Sequence, residues 1–252
     1  MGYFGYQDKK IYYEETGVGE PLLLLHGNTL SGRMFAPIAP RLADRYRVIA
    51  PDFLGCGRSD RLEHWPSDLW YEWSCQAAAL CREKGLEKVL VIGSSGGALA
   101  ALNLALESPE LVRWVIADSF EGLRADGTLT EQICLGRTAA KQMEGFRAMM
   151  QSLHGEDWEQ VVDADTDAVV RHAGTVGAFL HRPISELKTR LLLTGSAEDE
   201  MFPRGHYETL FGEICAQTPM ARSHIFSRGN HPALGSNQEE FLTLAAEFFA
   251  QR

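Results

Sequence analysis

The sequence predicts an α/β fold, with a mostly parallel, twisted central sheet, helices on both faces and a helical cap inserted near the middle. Three observations predict it. Short apolar runs, too brief for buried helices and bounded by Gly or Pro, alternate with stretches of helical spacing. Several runs are apolar at consecutive positions, as strands covered on both faces must be. Between residues 121 and 186 the alternation stops and only helical patterns remain. We therefore expect one domain over 1–252, with 121–186 as a cap inserted between core segments 1–120 and 187–252.

The elements follow in order. Ile11 to Glu15 reads as an edge strand paired with Tyr3–Tyr6. Gly17 to Pro21 is a run of breakers, and Leu22 to Leu25 between Pro21 and Gly27 is a central strand. Arg33 to Asp44 places Phe35, Ile38 and Leu42 on one side of a helix, with Pro37 near its start. Tyr46 to Ala50 is a strand that runs into a loop with two glycines, Pro51 to Asp60. Leu69 to Lys84 is an amphipathic helix with Trp73, Ala77, Leu80 and Cys81 as its stripe, stopped at Gly85. Val89 to Ile92 is a buried strand, followed after a Gly-rich break by strong helix formers from Ala98 to Leu104. Pro109 ends that helix, and Val112 to Ala117 is a strand delivering Asp118 to its C-terminal end. In 121–186, Met143, Phe146, Met149, Met150, Leu153 and Trp158 either pack together or form the inner face of a cap over a substrate pocket. Glu156, Asp157, Asp163, Asp165 and Asp167 read as a solvated face. Arg190 to Thr194 and Ser223 to Ser227 are strands, and Gln238 to Ala250 is a helix burying Phe241, Leu244, Ala245 and Phe248.

Composition narrows the function. At 252 residues, with 45% hydrophobic and 23% charged residues, the chain suits a soluble globular domain. A formal net charge of -10 and the absence of Lys/Arg runs argue against nucleic acid or an anionic membrane as partner. No run has the length of a signal-peptide core or a membrane span. Cys56, Cys75, Cys81, Cys134 and Cys215 are scattered and odd in number, without metal-ligand spacing. A reducing cytoplasm is the expected compartment. Cys56 reads as buried and structural, and His64, His154, His172, His181, His206 and His224 as surface or packing residues.

The chemistry centres on Gly93-Ser94-Ser95-Gly96-Gly97. Ser95 lies in G-x-S-x-G, on a sharp strand-to-helix turn that exposes its hydroxyl at the end of a sheet. A serine hydroxyl is a poor nucleophile until a base takes its proton and a third group orients that base. Asp199 follows one strand end and His231 the next, and in a parallel sheet such ends share one edge. Glu198 and Asp118 remain rival acids. Ser94 is flanked by Ile92 and Gly96 and fails the glycine pattern.

These segments resemble an α/β-hydrolase over nearly the whole chain. His26-Gly27 is similar to that fold's oxyanion-loop motif, and Asp52 to Asp60 to its D-x-x-G-x-G-x-S-D loop. Gly93–Gly97 is similar to the nucleophile elbow, Leu193–Pro203 to the acid loop and Gly229-Asn230-His231 to the histidine loop. The resemblance implies a Ser-His-Asp triad of Ser95, His231 and Asp199, no cofactor and no metal. It also implies an oxyanion hole from the backbone N–H groups of Asn28 and Gly96. His26-Gly27-Asn28 further resembles haloalkane dehalogenases, but those require an aspartate nucleophile where this chain has Ser95, and the same absence argues against an epoxide hydrolase.

The expected activity is serine hydrolysis of a small carboxylic ester with a partly apolar acyl group, through an acyl-enzyme. Thioester, lactone, amide or C–C hydrolysis share the scaffold. A cofactor-free lyase or oxygenase, or a non-catalytic receptor, are readings from other classes.

Overall fold

The computed structural model describes residues 1–251. Eight strands form one sheet: β1 (Gly2–Tyr6), β2 (Lys9–Thr16), β3 (Glu20–Leu25), β4 (Tyr46–Pro51), β5 (Val89–Ser94), β6 (Val112–Asp118), β7 (Arg190–Ser196) and β8 (Ala221–Phe226). Their order is β1-β2-β4-β3-β5-β6-β7-β8. The β1–β2 and β2–β4 pairs are antiparallel and every later pair is parallel. The C-terminal ends of β3 to β8 therefore share one edge.

Consecutive apolar residues are explained by burial on both faces. Leu22 and Leu24 of β3 and Leu90 and Ile92 of β5 point to one side, where they pack with α1 (Ala39–Ala43) and α9 (Gln238–Phe249) through Leu42, Phe241, Ala245 and Phe248. Leu23, Leu25, Val89 and Val91 point to the other. There they meet α2 (Leu69–Glu83), α3 (Gly96–Glu107) and α7 (His206–Gln217) through Trp73, Leu99 and Phe211.

Three helices, α4 (Gly127–Ala140), α5 (Glu144–His154) and α6 (Trp158–Thr175), lie between β6 and β7. The remaining helix, α8 (Ala233–Ser236), follows β8. No helix among the described residues is long and apolar enough to cross a membrane.

Three sequence expectations are corrected. Arg33 to Asp44 is not one helix but a short 3-10 turn at Gly32–Phe35 and then α1. Pro37 and Pro40 lack the N–H that a continuous helix needs. The helix α7 is an element the sequence assignments do not contain, although Tyr207, Leu210, Phe211 and Ile214 recur at helical spacing and are buried. Asp165 is not on a solvated face: it is fully buried. Its neighbours Asp157, Asp163 and Asp167 do face outward and pair with Arg61, Lys141 and Arg171.

Candidate active site

The strand-to-helix turn at β5–α3 holds Ser95 with φ 54° and ψ -124°. That conformation costs a side-chain-bearing residue on the order of 1–3 kcal/mol, and only close packing around it can hold it. The glycines on either side explain the packing. A methyl group on residue 93 would lie 2.1 Å from the Gly97 carbonyl oxygen, and one on residue 97 would lie 2.0 Å from that of Leu25. The first turn of α3 thus sits directly on β5 and β3, and Ser95 is pushed out between them.

The other two residues arrive from the same edge. His231 Nε2 is 3.1 Å from Ser95 Oγ, and His231 Nδ1 is 2.9 Å from Asp199 Oδ2. An ionised Asp199 accepts the Nδ1 proton, so Nε2 keeps its lone pair for the Ser95 hydroxyl. Burial alone raises the Asp199 pKa. The hydrogen bond and charge of His231, the Tyr207 hydroxyl at 2.7 Å and the Met201 N–H at 3.0 Å outweigh it and hold the carboxyl below its ordinary value. Tyr207, on the unassigned α7, is therefore a site residue that the sequence reading missed. Glu200 Oε2 accepts the backbone N–H of His231 at 3.0 Å and steadies that loop.

The rival acids are elsewhere. Glu198 is exposed. Asp118 is fully buried and accepts the Thr194 hydroxyl (2.7 Å), the Ser94 hydroxyl (3.2 Å) and the Leu234 N–H (3.2 Å). Its carboxyl ties the elbow and the histidine loop together. Burial pushes its pKa up to about 6 against those hydrogen bonds and the His231 charge. Ser94 is spent on Asp118 and does not reach the cavity at Ser95.

That cavity holds about 50 Å³ and is lined by Trp70, Leu99, Ile133, Val169, Met201 and Phe202, with Asn28, Gly96, Glu121 and Arg137. Ile133, Arg137 and Met201 also border a larger space of about 260 Å³ that reaches Glu200. Met143, Phe146, Met149 and Trp158 do not line it. Met143 and Met149 are exposed, while Phe146 and Trp158 pack with Met150, Leu153, Val162 and Leu30 in a separate cluster. Glu121 is half-buried on the cavity wall, and burial raises its carboxyl to about 7 despite the Asp126 N–H it accepts.

The loop after β3 completes the site. His26 is fully buried against Phe53 and Trp73, and burial lowers its pKa to about 3. Its Nε2 accepts the Phe53 N–H at 3.0 Å, which leaves the proton on Nδ1 for the Gly27 carbonyl at 2.9 Å. Asn28 lies against Gly96, where a methyl group would be 2.1 Å from Asn28 Oδ1. Among the described residues, the backbone N–H of neither Asn28 nor Gly96 is taken by a protein acceptor. The Asn28 side chain is fully committed: Oδ1 accepts Trp70 Nε1–H at 2.9 Å and Nδ2 donates to both Asp165 oxygens. Asp52 serves the neighbouring loop, with Oδ1 accepting the Gly32 N–H (2.7 Å) and Oδ2 the Arg58 N–H (2.8 Å). Cys56 is buried, and burial raises its thiol pKa. No group of three or more metal-ligating side chains occurs among the described residues.

Residues 20–151 match the family model of the alpha/beta hydrolase fold, so the chain belongs to that family. It is 26% identical to a 2-hydroxy-6-oxo-6-phenylhexa-2,4-dienoate hydrolase of Comamonas testosteroni over 273 aligned residues, covering 97% of this chain and 93% of the relative. It is 34% identical to haloalkane dehalogenase 2 of Mycobacterium tuberculosis over 110 residues, which span 42% of this chain and only 37% of that protein. The structure of a meta-cleavage product hydrolase from Pseudomonas fluorescens superposes with a TM-score of 0.75 at 23% identity, covering 96% of this chain and 94% of that one, a likeness of fold.

Proposed function

We propose that this α/β hydrolase is a serine hydrolase that cleaves small carboxylic esters with neutral, partly apolar acyl groups. The hydrogen-bonded line Ser95–His231–Asp199 carries the reading. His231 Nε2 takes the Ser95 proton as Oγ adds to the ester carbonyl, while Asp199 keeps the imidazole in its tautomer and stabilises the imidazolium. The oxyanion forms against the N–H groups of Asn28 and Gly96. Each such donor is worth about 2.7–4 kcal/mol in the transition state. His231 then protonates the leaving alcohol, and water cleaves the acyl-enzyme by the same route in reverse. Helices α4 and α6 act as a cap, since Ile133, Arg137 and Val169 close the cavity over Ser95. Hydrolysis of short-chain nitrophenyl esters by wild type, absent in Ser95→Ala, tests this reading; a wild type as inert as the variant would sink it.

The six apolar residues of the cavity wall support a partly apolar acyl group, by a different set of side chains than the sequence suggested. Charge supports a neutral one. Arg137 is neutralised by Asp165 at 2.8 Å, and Glu121 adds a negative charge as it ionises. Because the Glu121 pKa is raised, its carboxyl is uncharged below about pH 7 and anionic above it. The kcat/KM of an ester with an anionic acyl group, divided by that of its neutral isostere, is therefore expected to fall as pH rises through about 7. Glu121→Gln should flatten that ratio. A ratio unchanged by pH in wild type would remove Glu121 from substrate selection.

Hydrolysis of a C–C bond by the same triad is the second reading, favoured by the likeness to the dienoate hydrolase over nearly the whole chain. That relative's named substrate is a carboxylate. Turnover of such an anionic dienoate in preference to neutral esters would select this reading over the first.

A further inference from the structure

The loop beside the proposed oxyanion hole carries an unfavourable residue in an unfavourable place. Gly27 to Leu30 is a turn closed by Leu30 N–H on the Gly27 carbonyl at 3.3 Å. Thr29, its third residue, has φ +59°, and Asn28 is not among the residues of positive φ. That is the pattern of a type II turn, whose third position ordinarily takes Gly or Asn. A β-branched residue there is an outlier and needs outside support.

The support comes from the inserted helices. Asp165 of α6 accepts the Thr29 N–H at 3.1 Å, and His154 of α5 lies 2.9 Å from the Thr29 carbonyl through Nε2. His154 Nδ1 accepts the Gly57 N–H at 2.9 Å, so Nε2 carries the proton and donates. Both ends of the same strained residue are thus gripped by buried side chains from two helices of the insertion. Arg137 of the third helix, α4, braces Asp165, which also holds Asn28 Nδ2 at 3.0 and 3.1 Å.

We propose that Asp165 and His154 form a clamp that holds the oxyanion loop in its active turn, so that seating the helical insertion and forming the oxyanion hole are one event. Both are positioning residues; neither touches the reacting atoms. Without the clamp, Thr29 relaxes toward negative φ and the peptide between Asn28 and Thr29 turns over. Asn28 then loses its tether on Asp165, and its backbone N–H loses a fixed place beside that of Gly96. With the insertion lifted, Ser95 and His231 remain in reach of each other but the developing oxyanion has one firm donor fewer. The cavity would turn over substrate only when closed.

This inference rests on the reading of Ser95 as the nucleophile, and the test separates the two. The readout is the second-order rate at which a fluorophosphonate modifies Ser95, measured beside circular dichroism and thermal midpoint. Asp165→Ala is expected to slow modification about 10²-fold, the scale of a misplaced catalytic group, with Asp165→Asn in between. Adding Thr29→Gly to Asp165→Ala should recover at least about tenfold, because glycine takes positive φ without support. Recovery by relaxing the turn is a signature that a merely structural ion pair lacks. A folded Asp165→Ala that reacts at the wild-type rate would overturn the clamp, as would a slowed rate that Thr29→Gly leaves untouched. If Asp165→Ala does not fold, His154→Ala with and without Thr29→Gly makes the same comparison. Failure of wild type itself to react would overturn the nucleophile reading, and the clamp with it.

Discussion

Ser95→Ala is expected to lower kcat by roughly 10⁶-fold, the loss seen when the nucleophile of such a triad is removed. The fold should be unaffected. Ser95 sits at φ 54°, and the glycines at 93 and 97 that permit the elbow are retained. Its hydroxyl makes one side-chain hydrogen bond, to His231 Nε2, so truncation leaves one partly solvated imidazole nitrogen and no buried orphan. Steady-state rates on a nitrophenyl ester, alongside the thermal midpoint, check both halves. The residual rate should still exceed that of water, since the oxyanion donors remain. A loss of less than about tenfold would mean that Ser95 supports the reaction without forming a bond in it.

Asp199→Asn is expected to cost roughly 10⁴-fold in kcat. An asparagine of the same shape offers His231 Nδ1 an oxygen or an NH₂ group but no charge. The imidazolium formed during acylation is then unstabilised, and the tautomer that points a lone pair at Ser95 is no longer enforced. Tyr207 donates to the same Oδ2 and Met201 N–H to Oδ1, so the variant side chain should stay in place and KM should change little. Glu198→Gln, at an exposed position, should leave kcat near wild type. Collapse of Glu198→Gln with Asp199→Asn unharmed would reverse the assignment. The Asp199 carboxyl is held below its ordinary pKa by His231, so the stability it adds is present above its unfolded value and fades as pH falls through the folded one. The asparagine variant should accordingly lose most stability, relative to wild type, near neutral pH.

Much of this architecture is legible in the sequence because it is written in local signals. Four leucines between Pro21 and Gly27 have only one economical reading, and it is the central strand β3. Ser95, Asp199 and His231 are legible for a related reason. Parallel strands put their C-terminal ends on one edge, so chain order brings a serine, a histidine and an acid together, but Glu198 and Asp118 share that edge and only the contact with His231 Nδ1 singles out Asp199. Residues whose roles depend on tertiary contact are not legible in this way. Asp165 stands among five acidic residues of similar appearance, and only the packing of α4 and α6 shows that it alone is buried, against Arg137 and Asn28. Met143 and Met149 carry apolar side chains, yet both are exposed and neither lines the cavity. Tyr207 is an intermediate case. Its helical spacing was available, but its hydrogen bond to Asp199 depends on how α7 returns to the sheet.

Peptide mapping by mass spectrometry after fluorophosphonate treatment tests the central claim most directly. The expected result is a single phosphonyl adduct on Ser95 in wild type and none on the Ser95→Ala protein. Unmodified wild type, or an adduct on Ser94 that persists in Ser95→Ala, would contradict it.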